Sequence, residues 1–371
     1  MDETTGTFNL SGAQSNFEKL TTIVSTEFQI EEALIEHNVP TYYLQQPQET
    51  KESFLRLLHN LKAMDLIAFL RRKDERVVLR IVSKPPVKPA NILINWVLFF
   101  ATIATTFLTG YWISLGIVEL AGSVLNPLIG GVAFTVAIMT ILGTHEMGHK
   151  LTADRTGVEA TPPYFIPGPP PIFGIFGIGT FGAVIMQKSL PPNKDSLFDV
   201  GSSGPIISFI MAAVFSVLGL LLSIPAPPSE NLGVLPPTLL WTILHRFLLG
   251  LGLMPQPPVD KILLVHPVAL AGWFGMLLTM LQLLPAAMLD GGHVARSIVG
   301  EKTRNILTLL SIVLLIVEGF WPMAFFVLLM SMYKHPGPLD DVSSLSPSRK
   351  FLTIVLIGIF VLCSFQISPI F

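Results

Sequence analysis

The chain holds one cysteine, Cys363, among 371 residues. A single thiol excludes an intrachain disulfide and a cysteine-based metal cluster. Charge is scarce as well: Asp, Glu, Lys and Arg together make up 13% of the residues, whereas soluble proteins carry roughly a quarter. A formal net charge of −2 gives no electrostatic basis for holding nucleic acid. Solenoid-type repeats are missing, and the only biased tracts are proline clusters at 167–171 and 225–228. Residues 1–90 contain no short apolar segment with a cleavage site, which predicts that no secretory signal is removed and that the first span directs insertion. What is abundant is apolar surface. Hydrophobic residues make up 51%, mean hydropathy is positive, and the chain falls in the membrane class.

The patterning predicts a mainly α, polytopic membrane protein with about six to seven transmembrane helices, a membrane-embedded β segment and a small N-terminal soluble α/β domain. The boundary is placed between 1–89 and 90–371. In the N-terminal part, Phe17, Leu20, Ile23 and Val24 recur at helical spacing, as do Ile30, Ala33, Leu34 and His37. Glu52–Met64 sets Phe54, Leu57, Leu58 and Leu61 on one helical face. Ile67–Leu70 and Val77–Val82 flank a charged turn at 71–76 and predict a hairpin with a loop longer than two residues. Lys84-Pro85-Pro86-Val87-Lys88-Pro89 reads as a stiff linker. Apolar runs then cover Asn91–Trp112, Pro127–Gly143, Gly204–Ile224, His266–Leu284, Asn305–Glu318, Trp321–Met332 and Phe351–Ile367. The runs 305–318 and 321–332 are short for full spans. They are either two short helices or one kinked helix with Glu318 at its middle, and the lysines and arginines favour two.

Lysine and arginine placement sets the orientation. Lys84 and Lys88 precede the first span, and the loop 113–126 has no basic residue. Lys150, Arg155, Lys188 and Lys194 follow the second span, and Arg296, Lys302 and Arg304 follow the fourth. The N-terminus, the segment 150–200 and the region around Asp290 are therefore expected on the cytoplasmic side.

One motif carries chemistry: His145-Glu146-Met147-Gly148-His149, at the end of the second apolar run. Histidines four apart share a helix face and can bind one zinc ion, with Glu146 beside them as a general base. Two such histidines can also be satisfied core residues, but ionisable groups at the end of a lipid-embedded run are costly and mark function. A catalytic zinc needs a third protein ligand. Asp290 is the best candidate, because Pro285 interrupts the preceding helix and Gly291-Gly292 allow a tight turn that can aim a carboxylate. It can also simply cap a helix start. His293 and Glu159 are weaker candidates.

The stretch Phe173–Ile185 is apolar, punctuated by glycine and too broken for a helix. It reads either as a strand edge near Thr180 that pairs with an unwound substrate segment, or as an interfacial loop packed beside the site. His266 before Pro267 reads as a helix start, 250–258 as an external loop, and Lys334, His335, Asp340 and Asp341 as a solvated cytoplasmic loop.

The paired motifs, His145–His149 and Leu284-Pro285…Leu289-Asp290-Gly291-Gly292, resemble the site-2 protease family of intramembrane zinc metalloproteases. Over roughly 90–345 the chain is similar to the branch containing plant chloroplast EGY proteins and their prokaryotic relatives. The supporting strings are PPYFIP from Pro162, GTFGA from Gly179, LFDV…GP over Leu197–Pro205, HPVALAGW from His266 and HPGPLDD from His335. The resemblance implies zinc on His145, His149 and Asp290, Glu146 as catalytic base, and cleavage of membrane-anchored substrates in or near their transmembrane helix. The family usually has Asn three positions before the proline of the second motif, in a substrate-positioning role. Here that position is Gln282, which keeps the amide and adds a methylene.

Two other functions use the same residues: a zinc-bearing scaffold that binds client helices without cutting them, and a metal or proton transporter. Glu146 favours the protease. Transporters place ligands near the midplane on broken helices, often in inverted repeats, and neither feature is read here.

Overall fold

The structure, a computed structural model, describes residues 10–86, 89, 91–122, 125–171, 177–228, 235–254, 257–258 and 260–364. The N-terminal part is two helices on a four-stranded antiparallel sheet. Its elements are α1 (Leu10–Glu27), β1 (Ile30–Glu36), β2 (Val39–Leu44), α2 (Lys51–Lys62), β3 (Leu66–Lys73) and β4 (Arg76–Ser83), in strand order β1-β2-β4-β3. Phe54, Leu57 and Leu61 of α2 are fully buried against Leu70, Val77 and Leu79 of the sheet. They occupy one helical face, as their spacing predicts.

Two local expectations are corrected. Ile30–Glu36 is a strand, not a helix. It pairs with β2 through a turn in which His37 and Asn38 both take positive φ, and β-branched residues on a half-buried pleat outweigh the helical spacing. The β3–β4 loop has two residues, Asp74 and Glu75, both at positive φ. Such two-residue turns match the right-handed strand twist, so the charged residues on either side continue the strands.

The remaining elements are α3 (Ile92–Ala121), α4 (Pro127–Arg155), β5 (Tyr164–Pro167), β6 (Thr180–Val184), α5 (Lys194–Leu221), β7 (Ile224–Ala226), α6 (Leu239–Gly250), β8 (Ile262–Leu264), α7 (Pro267–Gln282), α8 (Asp290–Val317), α9 (Trp321–Ser331) and α10 (Pro347–Cys363). Among the described residues α3, α4 and α5 are long and apolar enough to cross a membrane, and α6, α7 and α9 are shorter apolar helices. The buried hydroxyls of Thr102, Thr106, Thr109 and Ser114 on α3 face inward and are satisfied within the helix. Thr102 donates to the Leu98 carbonyl at 2.8 Å and Ser114 to the Gly110 carbonyl at 2.6 Å, which removes the cost of a bare hydroxyl in lipid.

Helix α5 packs against α4, α7 and α8. It begins ten residues before its apolar run because Asn193 caps it, accepting from the Ser196 N–H at 2.9 Å. Helix α6 lies between the apolar runs Gly204–Ile224 and His266–Leu284, where the sequence patterning predicts no helix. Runs 305–318 and 321–332 are two helices, separated by a turn at Gly319 with φ 81°. Helix α8 starts earlier than its apolar run and is kinked at Gly300. His266 caps α7, its Nδ1 accepting from Val268 N–H at 3.2 Å.

The segment 335–346 is not a solvated loop. Asp340 is fully buried, accepting from the backbone N–H groups of Val342 and Ser343. Leu339–Asp341 lies between β3 and the segment 191–193, with parallel bridges from Asp340 to Leu70 and Asn193. Backbone hydrogen bonding, which a run of charged and proline residues does not advertise, buries it.

Candidate metal centre

Helix α4 carries His145 and His149 one turn apart on its buried face, and α8 begins at Asp290. The three meet although 141 positions separate His149 from Asp290. The His145 and His149 Nε2 atoms are 3.0 Å apart, and each is 3.2 Å from Asp290 Oδ2. Three donors held tetrahedrally at about 2.0 Å from one centre stand about 3.3 Å from each other, so the spacing suits a small metal ion. The donor atoms His145, His149 and Asp290 form the one such group found among the described residues.

The rings are oriented from behind. His149 Nδ1 donates to the Val200 carbonyl at 2.6 Å, which leaves the Nε2 lone pair facing the other donors. His145 Nδ1 meets Ser208 Oγ at 3.1 Å, and Ser208 meets Thr279 Oγ1 at 3.0 Å. Thr279 donates its own proton to the Gly275 carbonyl at 2.8 Å, and Ser208 has the Pro205 carbonyl at 3.2 Å and Thr279 Oγ1 as acceptors for its single proton, so the Ser208 oxygen accepts from His145. The proton of His145 is therefore on Nδ1 and its Nε2 also presents a lone pair.

Helix α5 makes room for this. A Cβ at Gly204 would lie 2.2 Å from His149 Nε2, and one at Gly201 would lie 3.0 Å from the Asp290 carbonyl. Close approach, not conformational freedom, requires glycine at both. The turn before Asp290 is tied down from α8: the Thr308 hydroxyl accepts from the Ala287 N–H at 3.0 Å and Arg304 donates to the Ala287 carbonyl at 2.7 Å. Ala287 takes a positive φ of 45°, a strained setting for a side chain that these two contacts hold.

Glu146 is buried, with Oε1 4.0 Å from His145 Nε2. It stands outside the three-donor group and beside it. Its carboxylate lies near the backbone of Ile185, just past β6. Strand β6 pairs antiparallel with β5, with Phe165 opposite Ala183. Among the described residues its other edge has no partner strand, and Phe181 is 72% exposed. Thr180 is buried and pins the hairpin, donating to the Ile166 carbonyl at 2.9 Å and accepting from the Gly182 N–H at 2.9 Å. Residues 173–176 of the stretch Phe173–Ile185, read from sequence as a strand edge or an interfacial loop, lie outside the described residues. Gln282 ends α7, one turn beyond Thr279 on the same helix face.

The weaker ligand candidates are engaged elsewhere. Glu159 accepts from Lys84 at 2.6 Å, and that ammonium holds its carboxyl below the usual carboxylate range. His293 Nδ1 is 2.8 Å from His335 Nε2. Sequence reasoning missed Ser208, Gly204, Thr308 and the Val200 carbonyl. The LFDV…GP string was the one signal on α5, and it carried no indication of which neighbour needed the glycine.

Residues 133–318 match the family model described as Peptidase family M50. The chain is 28% identical over 244 residues to "Probable zinc metalloprotease EGY2, chloroplastic" of Arabidopsis thaliana, covering 64% of this chain and 41% of that protein. It is 31% identical over 235 residues to "Probable zinc metalloprotease EGY1, chloroplastic" of Oryza sativa subsp. japonica, covering 61% and 39%. Over 221 residues it is 28% identical to "Probable zinc metallopeptidase EGY3, chloroplastic" of Arabidopsis thaliana, covering 52% and 33%. The chain thus spans about two fifths or less of the length of these curated relatives. No solved structure matches it.

Proposed function

The chain belongs to peptidase family M50, and we propose that it is a membrane-embedded zinc metalloprotease that hydrolyses peptide bonds of membrane-anchored substrates within or beside their transmembrane segment. The observation that carries this reading is the convergence of His145, His149 and Asp290 donor atoms beside a buried Glu146. Two neutral imidazoles and one carboxylate fit zinc, the metal named in the relatives, and leave the loaded centre with one net positive charge. Zinc bound there supplies Lewis acidity that makes water nucleophilic near neutral pH and polarises a carbonyl.

The rest is the work of this chain's own side chains. Val200 and Ser208 hold the two imidazoles with their lone pairs aimed inward. Glu146 takes the proton from the attacking water and returns it to the amine leaving group, a general-base and general-acid role. A helical peptide bond is screened by its own hydrogen bonds, so a substrate must be extended before attack. The open edge of β6 ends at the Ile185 contact with Glu146, and an extended segment added to that edge would lie alongside the base. Gln282, an amide one turn beyond Thr279, is the candidate for positioning the substrate carbonyl. Basic residues at 150–194 and 296–304 support a cytoplasmic site and N-terminus.

The reading is tested by incubating the purified, zinc-loaded protein in liposomes with a single-span reporter protein and mapping the products by mass spectrometry. Cleavage in or next to the reporter's span is expected. Zinc-loaded protein that leaves the reporter whole contradicts the proposal.

A further inference from the structure

The strap 335–341 touches both halves of the metal centre from outside it. On one side it grips the first turns of α8, the helix whose first residue is Asp290. His335 Nε2 lies 2.8 Å from His293 Nδ1, and Asp341 pairs with Arg296 through two hydrogen bonds of 3.1 and 2.6 Å. On the other side it pairs with the segment that enters α5: the Leu339 N–H donates to the Pro191 carbonyl at 2.8 Å and the Asp340 N–H to the Pro192 carbonyl at 2.9 Å. Helix α5 in turn backs His149 through Val200 and His145 through Ser208. A third contact secures the strap from behind. Leu70 of β3 exchanges backbone hydrogen bonds with Leu339 and Asp341, at 2.9 and 3.1 Å, and the Arg71 guanidinium donates to the Leu339 carbonyl at 2.6 Å.

The proton positions in the histidine pair are determined. The Gly337 N–H donates to His335 Nδ1 at 2.9 Å, so that nitrogen has no proton. Burial pushes the His335 imidazole down to about 2, and a neutral ring then carries its proton on Nε2 and donates it to His293 Nδ1. Neither histidine belongs to the three-donor group, and His293 stands one turn after Asp290 on α8.

We propose that His335 and Asp341 are positioning residues for the metal centre: the strap fixes the start of α8, and so Asp290, against the helix that orients His145 and His149. This rests on the zinc reading above and deepens it. Outer partners of metal ligands typically contribute about 10- to 100-fold in affinity, and the strap, one contact further out, is expected near the lower end of that range.

The test is zinc affinity by chelator competition, together with the visible absorption of the cobalt(II)-substituted protein, on wild type, Asp290→Ala, His335→Ala, His335→Asn, His335→Gln and Asp341→Asn. Asn can accept from Gly337 but is too short to reach His293, whereas the Gln amide nitrogen can reach it. The alanine and asparagine variants should bind zinc about tenfold more weakly with an altered cobalt spectrum, and the glutamine variant should recover most of the affinity. Asp341→Asn keeps volume and removes the charge pairing, so it carries the test if the His335 variants do not fold, and it should also weaken binding. Affinities and spectra equal to wild type in His335→Ala, His335→Asn and Asp341→Asn overturn the proposal, as does a glutamine variant no better than asparagine. If wild type and Asp290→Ala bind zinc equally, the zinc reading itself fails, a different result from failure of the strap alone.

Discussion

Asp290 Oδ2 stands 3.2 Å from His149 Nε2, with the first residue of one helix meeting the last turns of another across 141 positions of sequence. This contact brings together two motifs that are incomplete when separate. It depends on α5, which lies between α4 and α8 and presents Gly204 and Gly201 where they approach.

Ser208→Ala removes the hydroxyl that accepts from His145 Nδ1. The ring then loses the partner that fixes its tautomer, and zinc affinity should fall by about 10- to 100-fold. Chelator competition measures this, with secondary structure checked by circular dichroism. Because the substitution deletes only one buried oxygen, helix content should not change.

Gly204→Ala places a methyl group 2.2 Å from where His149 Nε2 now stands. The imidazole has to leave, since its Nδ1 bond to Val200 and the helix beneath it prevent a small adjustment. Metal analysis of the purified variant should find zinc well below one equivalent. Gly358→Ala, where an added Cβ meets nothing, should retain wild-type zinc.

A photo-crosslinking side chain at Phe181, exposed on the open edge of β6, should label an extended reporter substrate near its cut site. The same group at Phe351, which is also exposed but lies on α10, should label it weakly. Equal labelling from both positions would argue against strand addition at this edge.

Phe54→Ala opens a cavity in the N-terminal core, where that ring is fully buried. Large-to-small substitutions of this kind cost about 3–5 kcal/mol. Hydrogen exchange should quicken across α2 and the sheet, while the amides of α4, which belongs to a different apolar cluster, should keep their protection.

What was legible in the sequence followed from periodicity and spacing. The helical face of α2, the apolar runs of α3, α4 and α7, and the i to i+4 histidines are local patterns, and each sits where it was expected. Pro285 and the two glycines after Asp290 marked the break between α7 and α8, at whose start Asp290 stands. The strand at Ile30–Glu36 was not legible, because Ile30 and Leu34 fit both periods and only pairing with β2 decides between them. Helix α6 was hidden by the prolines and glycines on either side. The burial of Asp340 and the pairing of His293 with His335 depend on partners more than forty positions away, and no local spacing records such contacts.

The central claim is that Glu146 works on water beside a zinc held by His145, His149 and Asp290. Metal content and reporter cleavage measured side by side on wild type and Glu146→Gln test it most directly. The amide keeps the shape of the side chain and cannot take a proton, so zinc should stay at one equivalent while turnover falls by about 10²–10⁴-fold or more. A Glu146→Gln protein that still cleaves the reporter at the wild-type rate would contradict the account.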